Sequence, residues 1–227
     1  MNEHTIRPVA HIESDFGGKF GVPRQAGIVE ELRARVVFDG EYRNDEALRG
    51  IEGFSHLWLI WHFSETERDA WSPTVRPPRL GGNTRMGVFA TRSPFRPNAL
   101  GLSCVRLLGV EKLEGKGTTL LVGGADLMDG TPIFDIKPYV PYADCRPEAA
   151  GGFAPDPGGT LAVVFEGAAL ERVPEDKRAA LRGVLANDPR PRYQDDPERS
   201  YAMSFAGLTV RFRVADGTLR VTEVENA

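Results

Sequence analysis

Short runs in which apolar and polar residues alternate dominate this chain, separated by Gly, Pro and Asp. "IRPVAHIE" (6–13) and "AGIVEELRARVVF" (26–38) carry β-branched residues in partial alternation, which predicts half-buried strands. "HLWLIWHF" (56–63) is almost continuously apolar and aromatic, too short for an ordinary helix, and predicts a buried central strand. "MGVFAT", "LSCVRLLGVEKL", "TTLLVGGADL" and "IFDIKPYV" continue the strand series, with Gly-containing breaks between them. "NDEALRGIEG" (44–53) predicts one short helix, capped by Asn44 or Asp45 and ended by Gly50 or Gly53. Closely spaced short strands with so little helix imply a mainly β barrel or sandwich, not an alternating parallel sheet.

The pattern changes near residue 146. "CRPEAAGGFAPDPGG" (145–159) is dense in Gly, Pro and Ala and reads as a linker. Beyond it come a strand "TLAVVFEG", a helix over 174–188, and "VADGTLRV", whose Asp-Gly pair signals a hairpin. There Val210, Phe212 and Val214 share one face, and Arg211 and Arg213 the other. The expected organisation is a β-rich body over 1–145, a linker over 146–159 and a small α+β unit over 160–227. No internal repeat is evident.

Charge adds a constraint that the pattern alone does not. The chain of 227 residues has a formal net charge of -4, yet residues 71–110 hold six arginines and no Lys, Asp or Glu. That block is Arg76, Arg79, Arg85, Arg92, Arg96 and Arg106, and such separation of charge points to an anionic partner. Guanidinium suits phosphate and nucleobases better than ammonium does, being planar and fork-shaped. Cys104 and Cys145 are the only cysteines and form no framework, which fits a reducing, cytoplasmic setting. No apolar run is long enough for a membrane helix, and the N-terminus lacks a secretory pattern.

Common catalytic signatures are missing. There is no G-x-G-x-x-G, no P-loop and no G-x-S-x-G; Ser93 in "TRSPF" has no neighbouring His to activate it. His56 and His62 share no Cys or carboxylate spacing that would make a metal site, so no metal is expected. What stands out is a set of irregular polar loops: "KFGVPRQAG" (19–27), "RPPRLGGNTRMG" (76–87), "TRSPFRPNALG" (91–101) and "ADLMDGTPIFDIKPY" (125–139). Proline stiffens them, and loops of fixed shape on a β scaffold are where binding groups usually sit. On these features alone the chain is a β-rich protein with an anionic ligand, and both a non-catalytic RNA-binding module and an enzyme acting on a phosphorylated small molecule remain open.

Four segments carry a family resemblance: "KFGVPRQAG", "GIEGFSHLWLI", "PTVRPPRLGGNTRMGVFATRSPFRPNALGLSCV" and "DLMDGTPIFDIKPYVPYAD". Through them the chain resembles the TsaA-like family, the TrmO tRNA methyltransferases, and "LANDPRPRYQDD" extends the resemblance into the tail. The resemblance implies methylation of N6 of the threonylcarbamoyl-modified adenosine 37 in tRNA anticodon loops, with S-adenosylmethionine as cofactor. It also implies a β-barrel body with a cofactor fold unlike the Rossmann type, a homodimer, and tRNA contact by the C-terminal unit.

Carried over by position, the cofactor residues are Pro23, Arg24, Gln25, Phe63, Ser64, Arg92, Leu102, Asp129, Gly130, Thr131 and Pro132. Asp126 and Asp129 would orient the amine or the cofactor. Arg76, Arg79, Arg85 and Arg96 would face RNA. The chain departs from the family pattern at Ser14-Asp15-Phe16, where Ser-Pro-aromatic is usual, and at "WHFSE", where an "FHQ"-like end is usual.

Overall fold

The aromatic run forms strand β3 (His56–His62), but only alternate residues are buried, because its sheet has an inside and an outside. In the computed structural model, which describes residues 4–66, 70–191 and 196–227, β3 lies between two other strands of a six-stranded sheet. The others are β1 (Ala10–Glu13), β2 (Arg33–Phe38), β6 (Leu100–Leu113), β7 (Gly117–Gly123) and β8 (Pro132–Pro138). Their order is β1-β2-β7-β6-β3-β8, and β8 pairs back to β1, so the sheet closes into a barrel. Every pairing in it is antiparallel. Inward side chains such as Ile12, Val36, Leu57, Leu59, Val105, Leu120 and Ile133 fill the interior.

Several expected elements are shorter than the pattern suggests. In the 26–38 segment the ladder begins only at Arg33, because residues 26–32 turn to bring Gly27 against Gly124, with Gly27 N–H on the Gly124 carbonyl at 2.8 Å. Gly124 has φ +71° and a Cβ there would lie 3.1 Å from the Gly27 Cα, so the two backbones touch where a side chain would not fit. The predicted helix over 44–53 is instead two 3-10 turns, Asp45–Leu48 and Ile51–Gly53; Asn44 does cap the first, accepting from the Glu46 amide. "MGVFAT" supplies only β5 (Met86–Gly87), paired with β4 (Thr74–Val75) in a small ribbon outside the barrel.

After the single turn α1 (Pro141–Asp144) and an exposed stretch, the chain builds a second sheet. Its strands are β9 (Ala162–Phe165), β10 (Tyr201–Phe205), β11 (Leu208–Ala215) and β12 (Thr218–Asn226), in the order β10-β11-β12-β9. The Asp216–Gly217 pair joins β11 to β12 with positive φ at both residues, the mirror-image turn that an Asp-Gly hairpin favours. Helix α2 (Glu175–Ala186) packs Ala180, Leu181, Val184 and Leu185 into the core of this unit. Residues 192–195 of the tail motif lie outside the described residues.

This second core is not built from the C-terminal segment alone. Phe16, Val29 and Leu32, from the connection between β1 and β2, are buried in it. Gly183 of α2 sits where a Cβ would come 2.7 Å from Val29 Cγ1, so the helix lies directly on that loop. Asp15 receives both its salt bridge from Lys177 Nζ (2.7 Å) and, on its carbonyl, the Ala206 amide (2.7 Å). The departure at Ser14-Asp15-Phe16 therefore has a local role: it ties the loop to the second sheet.

Candidate active site at the barrel rim

Asp126 is the polar centre of the site. It follows β7 just past the Gly27–Gly124 contact, so the 23–27 loop is carried to its side. Ser103 Oγ donates to Asp126 Oδ1 at 2.5 Å, and Trp61 Nε1 donates to Ser103 Oγ at 2.9 Å. Ser103 is almost fully buried, an inward polar residue between the inward Gly101 and Val105 of β6. Burial pushes the Asp126 carboxyl above the usual aspartate range; the Ser103 hydroxyl, the backbone amides of Asp126 and Ala26, and the Arg92 charge act in the opposite direction. Arg92 in turn donates to the Gln25 side-chain oxygen. Phe63 closes the apolar side, its ring edge-on to Trp61 at 4.2 Å.

The structure thus joins Gln25, Phe63, Arg92 and Asp126 of the predicted residues in one cluster. Ala26, Trp61 and Ser103, which the sequence reading did not select, complete it. An inward serine on β6 is the signal that would have found Ser103, since a buried hydroxyl needs a partner. The tight packing behind the cluster is visible at Gly101, where a Cβ would lie 2.2 Å from the Trp61 ring.

Other predicted residues go elsewhere. Arg24 turns to the second unit and donates to the carbonyls of Asp188 (3.3 Å) and Arg190 (3.0 Å). Pro23 is half-buried beside it, and Ser64 is exposed at the start of a 3-10 turn. Asp129 accepts from the Ser14 amide at 3.0 Å and lines a cleft of about 500 Å³ with Asp15, Asp176 and Lys177, so its partners differ from those of Asp126. Gly130, at φ +75°, donates to the Ile12 carbonyl (2.8 Å), and Thr131 Oγ1 donates to the Met128 carbonyl (2.7 Å); both hold the turn that leads through Pro132 into β8. Leu102 neighbours Ser103 but points outward and is 53% exposed.

The arginine block is divided in the same way. Its loop holds itself: the Ser93 amide donates to Thr91 Oγ1, the Phe95 amide to Ser93 Oγ, and Arg96 folds back onto the Thr91 carbonyl at 2.9 Å. Arg79 pairs with Asp156 at 3.0 Å. Arg76 and Arg85 are exposed at the β4–β5 ribbon. Among the described residues no group of three His, Cys, Asp or Glu could hold a metal ion. No described helix is long and apolar enough to cross a membrane. Cys104 and Cys145 are both free, the first half-buried and the second exposed.

Comparison with known proteins bears on both units. Residues 11–145 match the family model for the tRNA-methyltransferase O N-terminal domain, and residues 159–227 match that for the TrmO C-terminal domain. The chain is 41% identical over 234 residues to a tRNA (adenine(37)-N6)-methyltransferase of Escherichia coli (strain K12), covering 99% of each. It is 41% identical over 217 residues to a "putative S-adenosylmethionine-dependent methyltransferase RcsF" of Pseudomonas aeruginosa, covering 92% of each. A crystal structure of TrmO from Pseudomonas aeruginosa superposes with a TM-score of 0.82 at 33% identity, over 99% of each chain.

Proposed function

The chain belongs to the TrmO family, matching its N- and C-terminal domain models, and on that premise we propose that it methylates N6 of adenosine 37 in tRNA, with S-adenosylmethionine as methyl donor. The observation that carries the reading is the joined set Gln25, Arg92, Ser103 and Asp126 at the barrel rim beside Phe63 and Trp61. These groups fit the cofactor: amides and a carboxylate for its polar groups, a guanidinium for its carboxylate, and aromatic faces for its cationic sulfur. The site stands on an antiparallel barrel, so the cofactor is held without the parallel sheet and glycine-rich turn of a Rossmann fold.

When bound, the cofactor supplies an activated methyl group on a sulfonium. The protein's task is then alignment, and orienting the reactants can supply roughly 7–11 kcal/mol of the barrier. Gln25 and Arg92 fix the cofactor from the loop side, and Phe63 and Trp61 exclude water from the barrel side. In this reading Asp126 orients the amine and accepts its proton, a role that its raised pKa supports, since a more basic carboxylate is a better acceptor. Asp129 and the Gly130–Pro132 turn fix the position of the strand that follows.

We assign catalysis to residues 1–145, the connection to 146–159 and support of the 14–32 loop, with tRNA contact, to residues 160–227. Leu102, with Leu100 37% exposed beside it, is turned away from Asp126 and would be covered by a second copy in a homodimer. The test is a pair of titrations, with S-adenosylmethionine and with tRNA. The reading requires both to bind and Arg92→Ala to weaken cofactor binding in a folded protein. An RNA-binding module would bind only tRNA, and an enzyme for a phosphorylated small molecule would bind no tRNA.

A further inference from the structure

Two large aromatic rings stand in water on the arginine-rich segment, and the site at the barrel rim uses neither. Phe89 is 75% exposed and Trp71 is 53% exposed. Their centroids are 6.3 Å apart with the planes inclined at 33°. Trp71 precedes β4 and Phe89 follows β5, and the ribbon is extended towards them by the Val88 amide on the Pro73 carbonyl at 2.9 Å. The pairing of two strands thus holds both rings at one end of the ribbon.

Charge lies at the other end. Arg76 follows Val75 and Arg85 precedes Met86 at the end of the Val75–Met86 pair, and both are exposed. Like charges at one end of a ribbon disfavour one another, and residues 71–110 contain no acid to separate them. An apolar protein surface would cover the rings and leave the guanidinium pair unanswered. A single strand of nucleic acid answers both, since it alternates flat bases with phosphates.

We propose that Trp71 and Phe89 are a stacking platform for an unpaired base of the RNA substrate, with Arg76 and Arg85 holding phosphates of the same strand. The inference rests on the tRNA reading above. Phe89 has no polar side-chain atom, so its part in the platform is to hold a base by its face and not to read its edge. Both aromatics are positioning residues, acting through the strand they hold.

The test uses the full chain, S-adenosylmethionine and an anticodon stem-loop RNA. Phe89→Ala and Trp71→Ala should each raise the RNA Kd and KM about tenfold, in line with the usual value of one base–aromatic stack, and leave cofactor affinity unchanged. Phe89→Tyr should restore RNA binding, whereas Phe89→Leu, apolar but without a π face, should not. Rescue by Leu equal to that by Tyr would overturn the platform. So would an altered oligomeric state of Phe89→Ala with RNA affinity retained, which would place the rings between copies of the chain. If the parent protein binds the RNA and no substitution changes its affinity, the platform alone is wrong; if the parent fails to bind, the tRNA reading fails with it.

Discussion

Burial and hydrogen bonding oppose each other at Asp126: burial lifts its pKa, while the Ser103 hydroxyl lowers it. Ionised Asp126 is the form that accepts a proton, so kcat/KM should rise with pH along a limb set by this group, above the ordinary aspartate range. Ser103→Ala removes a lowering interaction and should move that limb to higher pH. The same change leaves buried Trp61 Nε1 without its acceptor and should cost about 1–3 kcal/mol in denaturant unfolding. The native state also holds this proton more tightly than the unfolded chain does. Its contribution to stability is therefore present at low pH and is lost as pH rises from the ordinary aspartate range through the raised folded value. Gly101→Ala places a methyl on the Trp61 ring and should destabilise the fold by about 1–3 kcal/mol, with weaker cofactor binding measured by calorimetry. Gln25, Arg92 and Asp126 were legible because charged and amide groups in stiff loops advertise themselves. Ser103 and Trp61 were not, since which face of β6 and β3 points inward depends on the closure of the sheet.

At the scale of elements, the arginine-rich segment separates into parts with different work. The 91–101 loop is stiffened by its own side chains, and Arg96 belongs to that internal scaffold. Arg79 is already engaged by Asp156, whereas Arg85 is exposed. Arg85→Ala should therefore reduce the slope of log Kd against log salt for tRNA by about 0.7–0.9, the share of one phosphate contact. Arg79→Ala should change that slope less; equal effects would show that the Asp156 pair does not persist in the complex. The sequence pattern located most strands because alternation marks one buried face. It overextended the 26–38 strand, where the Gly27–Gly124 backbone contact breaks the ladder, a long-range event with no local signature. It also read a helix over 44–53, where cap residues are present but no apolar stripe is long enough to hold more than single turns.

At the scale of the molecule, the second unit does more than follow the barrel. It buries Phe16, Val29 and Leu32, pairs Lys177 with Asp15 and accepts Arg24, so it anchors the segment that carries Gln25 to the site. A chain ending at residue 158 should expose those three side chains, melt at a lower temperature and bind S-adenosylmethionine more weakly. An unchanged affinity would show that the 14–32 loop holds its shape without the second sheet. The change in composition near residue 146 suggests a separate unit beyond it, but nothing local shows that a loop near the N-terminus packs into the core of that unit.

The most direct measurement of the central claim is transfer of labelled methyl from S-adenosylmethionine to tRNA, followed by digestion to nucleosides and mapping of the labelled position. The account predicts label on N6 of adenosine 37 with the parent protein and none with folded Arg92→Ala. No label in tRNA, or label undiminished in Arg92→Ala, would contradict it.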